Sequence, residues 1–330
     1  MGDDCGTCGR HGGDLLKCVK CKAVWYCGKR CQREGWKAHK GSCVTLEQRS
    51  DRLFKAVEVD MPPALERWDS DTVITLGMRC VDDLKLCSVA QDCHANLSIR
   101  LYEMLGRACS RKKRYTESAA HYEQASLACV LTGDFARQGL LLANQGDVLL
   151  SSDSFDAAKA TFTRVERLGE LGGFFDLYAR ACLGRARCAS KSGEKAEAMV
   201  LAQESLKAAA CMLSGEFGQE RCEATALLVI CDLSDMYADD FENDLLNRLL
   251  KLSVAIEDDA REGGTTLHIF ALELVGRRHL AQGRSNTGAD AYRQVLRLAA
   301  DERFSGMEDI ATLVRGVKQM LEHVEFFGLV

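Results

Sequence analysis

Seven cysteines and one histidine stand in a fixed order within the first 43 residues: Cys5, Cys8, Cys18, Cys21, Cys27, Cys31, His39 and Cys43. No other feature of the 330-residue chain restricts its fold as tightly. Structural Zn(II) takes four Cys or His ligands in a closed tetrahedron, so eight such ligands make two sites. The C-x2-C pairs, Cys5 with Cys8 and Cys18 with Cys21, each place two thiolates on one tight turn. Cys27 with Cys31 and His39 with Cys43 are spaced i, i+4, which predicts each pair on one face of a short helix. Spacing alone leaves open whether the sites are interleaved or sequential. The alternative is a redox or disulfide cluster, which fits poorly with acidic first residues that carry no export leader. A module of about 40 residues buries too little apolar surface to fold alone, and structural zinc supplies about 10 to 16 kcal/mol per site in model peptides.

The run Cys5-x2-Cys8, Cys18-x2-Cys21, Trp25-Tyr26-Cys27, Cys31-Gln32, Trp36, His39-x3-Cys43 resembles a MYND zinc finger, and it includes the non-ligand residues Tyr26, Gln32 and Trp36. The resemblance covers about the first 43 residues. It implies two interleaved zinc sites, Cys5, Cys8, Cys27 and Cys31 on one ion and Cys18, Cys21, His39 and Cys43 on the other. It also implies that Gln32 and Trp36 bind short proline-containing peptides. The competing reading packs Trp36 into the finger core.

Residues 1–43 carry nine Lys and Arg against four acids. That excess falls to a formal +2 once seven thiolates and two Zn(II) ions are included. So small a charge argues against nucleic acid, which needs a cationic stripe to displace counterions, and no base-reading helix layout is present. Residues 44–330 are acidic, with 34 basic and 44 acidic side chains. The composition, 47% hydrophobic and 28% charged, is that of a globular protein, and no apolar run reaches the length of a membrane span. A cytoplasmic or nuclear location with no signal peptide is expected. Ten further cysteines (Cys80, Cys87, Cys93, Cys109, Cys129, Cys182, Cys188, Cys211, Cys222 and Cys231) lack ligand spacing and read as small buried hydrophobes.

The only two prolines, Pro62 and Pro63, are adjacent. They predict a break after a helix over 46–57, giving a finger over 1–45, a helix and hinge over 46–70 and a helical domain over 71–330. Within that domain Tyr115, Phe155, Lys195 and Ser285 are equivalent points, 40, 40 and 90 residues apart. Three positions on stand Ser118, Ala158, Ala198 and Gly288; seven on, Tyr122, Phe162, Ala202 and Tyr292; nine before, Gly106, Gly146, Ala186 and Gly276. Small residues recur where two helices of a hairpin approach, and larger ones where the gap is filled. The interval of 90 leaves room for a degenerate hairpin near 219–237 and 243–262; 71–90 reads as an N-terminal cap or a worn repeat, and 305–330 as a capping helix. The pattern resembles tetratricopeptide repeats of a 40-residue type, without the Trp and terminal Pro of the commoner unit. The expected fold is therefore a small zinc-stabilised finger followed by an all-α solenoid of helical hairpins.

In such a solenoid the first helix of each hairpin lines a concave groove. By register its outward positions are Arg100, Glu103, Arg107 and Arg111; Leu140, Ala143, Asp147 and Ser151; Arg180, Leu183, Arg187 and Lys191; Phe270, Glu273, Arg277 and Ala281. Seven of these are basic and three acidic, which predicts an acidic peptide ligand held by Arg forks. Arg111-Lys112-Lys113-Arg114 reads as a helix end or a nuclear localisation patch, and 239–244 as a solvated turn that lacks the glycine of a calcium loop. His94, His121, His268, His279 and His323 are isolated.

The expected function is a non-catalytic adaptor that binds a proline-containing peptide at the finger and a second protein at the repeats. Two alternatives follow from the resemblance: the finger and repeat layout is similar to that of axonemal and dynein-assembly factors, and other MYND proteins are corepressor-type transcriptional regulators. A degenerate relative of the SET and MYND lysine methyltransferases is a third, though a finger beginning at residue 5 predicts no room for the preceding half of a SET domain. No phosphate loop, nucleophile elbow or Gly-x-Gly cofactor pocket accompanies the finger.

Overall fold

The computed structural model describes residues 4–12, 14–21, 23–41, 43–86, 91–212, 217–234, 243–258, 264–301, 304 and 307–326. Two antiparallel strands of two residues, β1 (Leu16–Lys17) and β2 (Trp25–Tyr26), pair Leu16 with Tyr26 and Lys17 with Trp25. One helix, α1 (Lys29–His39), completes the finger. Everything after Leu46 in the described residues is helix and turn: α2 (Leu46–Lys55), α3 (Met61–Glu66), α4 (Ser70–Leu86), α5 (Gln91–Arg111), α6 (Tyr115–Thr132), α7 (Phe135–Ser151), α8 (Phe155–Gly172), α9 (Phe175–Lys191), α10 (Lys195–Ala210), α11 (Phe217–Leu233), α12 (Asn243–Asp258), α13 (Gly264–Ala281), α14 (Ser285–Ala299) and α15 (Glu308–Phe326). The chain divides into two compact lobes, Met1–Asp153 and Ser154–Val330.

The break expected at Pro62-Pro63 does not occur there. Thr45 caps α2 through a reciprocal box with Gln48, and the helix runs through a π turn (Ala56–Asp60) directly into α3. Both prolines sit in the first turn of α3, where their missing N–H groups are tolerated, and the wider π turn absorbs the register change. The chain turns instead at Arg67–Asp69, where Trp68 takes a φ of 61°. Nor is 46–70 a linker. Leu53, Val57 and Met61 are fully buried in one core with Val73, Leu101 and Leu105.

That turn is the first of a series. The hairpin turns that follow α5, α9 and α13 within the lobes each have one residue in the left-handed region, Lys113 (57°), Gly193 (82°) and Gly283 (71°), as does Asp153 (55°) at the boundary between the lobes. The turns at Trp68, Lys113, Gly193 and Gly283 are closed by one kind of bond, from the N–H of Asp69, Arg114, Glu194 and Arg284 to the carbonyls of Ala64, Cys109, Ala189 and His279. The helices α5, α9 and α13 each lead into a packed partner beginning at Tyr115, Lys195 or Ser285, three of the four points of the sequence repeat, and α8 begins at the fourth, Phe155.

Packing follows the recurrence of small and large residues. A Cβ on Gly276 would lie 2.4 Å from the Tyr292 ring, and one on Gly106 3.0 Å from Tyr122. The hydroxyl of Ser118 donates to the Gly106 carbonyl at 2.7 Å, so α5 and α6 are in near-backbone contact there. In the second lobe the ring of Phe162 on α8 is met instead by a glycine of the following helix, Gly184 on α9, where a Cβ would lie 2.4 Å from it. The turn at Trp68 marks a further hairpin, α2–α3 with α4, in which the sizes are exchanged. Met61 stands where Gly106 does, and Gly77 where Tyr122 does; a Cβ on Gly77 would meet Met61 at 3.2 Å and Leu105 at 2.5 Å. The degenerate pair α11 and α12 packs Leu227, Cys231 and Leu249 against Leu267 and Leu274. Helix α15 closes the array by burying Ile310, Val317 and Leu321 beside Tyr292 and Val295.

Of the non-finger cysteines, Cys80, Cys109, Cys129, Cys182, Cys188 and Cys231 are buried as expected, Cys222 is half-buried, and Cys211, the residue after α10, is exposed. The side chain of Cys93, the residue Cys87 and most of the acidic segment 239–244 lie outside the described residues. No described helix is long and apolar enough to cross a membrane.

Candidate zinc centre and peptide-binding face

The eight ligands converge into two tetrads, Cys5, Cys8, Cys27 and Cys31, and Cys18, Cys21, His39 and Cys43, with the ligand atoms of each within 4.8 Å of one another. The sites are therefore interleaved along the chain, the arrangement that spacing left open. Zn–S bonds of about 2.3 Å at tetrahedral angles put sulfurs roughly 3.8 Å apart. The Cys8–Cys27, Cys27–Cys31 and Cys18–Cys43 sulfurs are 3.6, 3.4 and 3.8 Å apart, and Nε2 of His39 is 3.2 Å from the Cys21 sulfur. The donors thus fit two Zn(II) ions, one per tetrad, with no position left open. Without a cation the thiols of each tetrad ionise unequally: that of Cys5 is lowered to about 6 by backbone hydrogen bonds from Cys27, Cys8 and Thr7, and that of Cys18 to about 6 despite its burial. The Cys31 thiol is pushed up to about 12 by its hydrogen bond to Cys27, and that of Cys43 to about 11 by burial. A dication at the centre reverses that penalty.

Helix α1 does not carry both members of either i, i+4 pair. Cys27 precedes the extended N-cap Gly28, and Cys43 lies beyond the C-cap Lys40, so each pair straddles a helix end. One site thereby fixes the start of α1 and the other its end. Two residues that sequence reading passed over hold this helix in place. Thr7 donates its hydroxyl to the Cys31 carbonyl at 2.7 Å, and a Cβ on Gly35 would sit 2.4 Å from that hydroxyl oxygen. Gly35 thus marks where α1 rests directly on the loop of the first site. Tyr26 is buried at 2% exposure among Cys18, Cys21 and Cys43, with its ring edge-on to His39 at 6.4 Å. Burial, and then the neighbouring thiols, raise its phenol above the usual tyrosine range.

Trp36 is not core. It is 42% exposed, and its ring stands edge-on to His39, 5.7 Å between centroids, so a zinc ligand sets the orientation of an outward-facing indole. Gln32, one turn earlier on α1, is half-buried.

The residues assigned to a groove scatter. Arg100 pairs with Glu58, and Arg111 donates to the Leu65 carbonyl at 2.6 Å while its guanidinium lies 3.9 Å from the Trp68 ring. Both cations are held from within 46–70, the segment expected to act as a hinge: by Glu58 in the π turn, Leu65 in α3 and Trp68 in the turn that follows. Arg277 forks onto Glu273 at 2.7 Å and reaches Asp232 at 3.4 Å. Ala143 and Leu183, expected to face outward, are buried. Arg180 is half-buried, and Arg187 and Lys191 are exposed on α9. Glu103, Arg107 and Asp147 do come together, in a cleft of about 310 Å³ completed by Ser110, Tyr122, Asn144 and Val148. Two carboxylates beside one guanidinium give that cleft mixed charge. In the 111–114 run, Lys112 pairs with Asp71 at 2.6 Å and Arg114 forks onto Glu117.

Residues 5–43 match the family model of the MYND finger, and residues 99–127 that of the tetratricopeptide repeat. The chain is similar to histone-lysine N-methyltransferase ASHR1 of Arabidopsis thaliana, 48% identical over 33 residues, which is 10% of this chain and 7% of that protein. It is also similar to Tudor domain-containing protein 1 of Mus musculus, 33% identical over 75 residues, 19% of this chain and 6% of that protein. The chain thus spans less than a tenth of the length of these curated relatives. The molecule is a two-zinc MYND finger followed by helices packed in a tetratricopeptide-like array.

Proposed function

We propose that this protein is a non-catalytic adaptor that joins two polypeptides, one bound at the finger and one on the helical hairpins. The observation that carries this reading is Trp36: an exposed indole, oriented by a zinc ligand, with Gln32 one turn away on the same helix. Rigid aromatic surface with an adjacent amide suits a short proline-containing segment, which binds at low entropic cost because it is already extended. Both tetrads are filled by protein ligands, so neither zinc offers a substrate a coordination position. The resemblance to a methyltransferase is confined to 33 residues, and S-adenosylmethionine should show no binding. Two modest affinities on one chain would add through effective concentration.

Capture of partners by intact protein and by a Cys18→Ala variant, read by mass spectrometry, tests this. Partners lost only with the variant belong to the finger, and those kept belong to the hairpins. An identical partner set for both proteins, or product formation in a methyl-transfer assay, would overturn the reading.

A further inference from the structure

The outer face of α1 carries more than Trp36 and Gln32. Successive helical residues turn by about 100°, so Lys29, Arg33, Lys37 and Lys40 fall within an arc of about 80°, and Trp36 lies about 20° from Lys29. All four cations are exposed, and none has a carboxylate partner among the described residues. The only acid of the helix, Glu34, stands about 100° from the middle of that arc and pairs with Arg30 at 2.9 Å. Cations in the last turn of a helix suit its dipole, which would account for Lys37 and Lys40 without any ligand. The same argument works against Lys29 and Arg33 near the other end, where the first turn holds no acid. The file of charge therefore opposes helix stability at its start and is continuous with the exposed indole.

We infer that the finger's ligand is an acidic, proline-containing segment of another polypeptide, laid along α1 with its proline on Trp36 and its flanking carboxylates against Lys29, Arg33, Lys37 and Lys40. This deepens the peptide-binding reading above and rests on it. The ligand comes from elsewhere because this chain's two prolines are locked in α3. A peptide fits better than nucleic acid, since the finger with its two zinc ions is only mildly cationic. The cleft at Arg107, with its two carboxylates, does not share the preference.

The test is calorimetry on the zinc-loaded full chain with two synthetic peptides of one proline motif, flanked by Asp and Glu in the first and by Asn and Gln in the second. The acidic peptide should bind about tenfold more tightly at low salt, with the advantage shrinking as salt is raised. Arg33→Glu together with Lys37→Glu should bring the ratio near one while the zinc content stays at two per chain, and Trp36→Ala should weaken both peptides. Equal affinities that respond to Trp36→Ala would sink the acidic preference and leave peptide binding standing. Failure of both peptides to bind would sink that reading and this inference together. Displacement of the acidic peptide by a DNA duplex or by anionic vesicles as readily as by itself would overturn the choice of a peptide.

Discussion

The finger and the helical hairpins reach order by opposite means. Helix α1 buries none of its residues, whereas α9 buries Leu177, Ala179, Ala181, Cys182, Leu183, Gly184, Ala186, Cys188 and Ala189. The finger is held by ligand bonds at the two ends of a helix, and the hairpins by small residues that bring backbones together around one large side chain. Composition therefore does little work in the finger, where ligand position decides, and most of the work in the body.

Removing metal should break this contrast most sharply. A strong chelator is expected to unfold the finger, a loss on the order of 10 kcal/mol or more per site, while the far-UV circular dichroism of the helical body stays close to native. Loss of most helical signal on chelation would show that the hairpins also depend on zinc.

The converse change acts on the body alone. Phe162→Ala empties a fully buried position against Gly184 and should cost about 3 to 5 kcal/mol in denaturant unfolding, with zinc content unchanged. A cost under about 1 kcal/mol would mean that α8 and α9 collapse to fill the space.

The smallest effects lie in the hairpin turns. Gly193 holds a φ of 82°, so Gly193→Ala should destabilise by about 1 kcal/mol, while Lys113→Gly, at the equivalent turn with φ 57°, should stabilise by up to about 1 kcal/mol. Melting temperatures that move in the same direction for both variants would show that the turns are not equivalent.

Legibility differed between the two regions for the same physical reasons. All eight ligands could be read because soft donors at short spacing have few other uses, yet their pairing needed either the family resemblance or the geometry of Cys8 and Cys27. The hairpins from Tyr115 onward could be read because glycine and tyrosine recur at fixed positions. The hairpin before them could not. Its turn at Trp68 lies 45 residues before Lys113, not 40, and Met61 and Gly77 exchange the expected sizes. Pro62 and Pro63 misled because a π turn let a helix accept them. Arg100 and Arg111 were assigned to an open groove because their partners, Glu58 and Leu65, lay in the segment taken for a hinge.

The interleaving of the two tetrads has a consequence for metal supply. The loop from Cys8 to Cys27 contains two ligands of the other ion, and the stretch from Cys21 to His39 contains two of the first. Neither ion can leave without slackening the strand that cradles its neighbour. Loading should then be all-or-none, rising steeply over a narrow range of free zinc, so that partly charged fingers are scarce and the exposed indole is presented either fully braced or not at all.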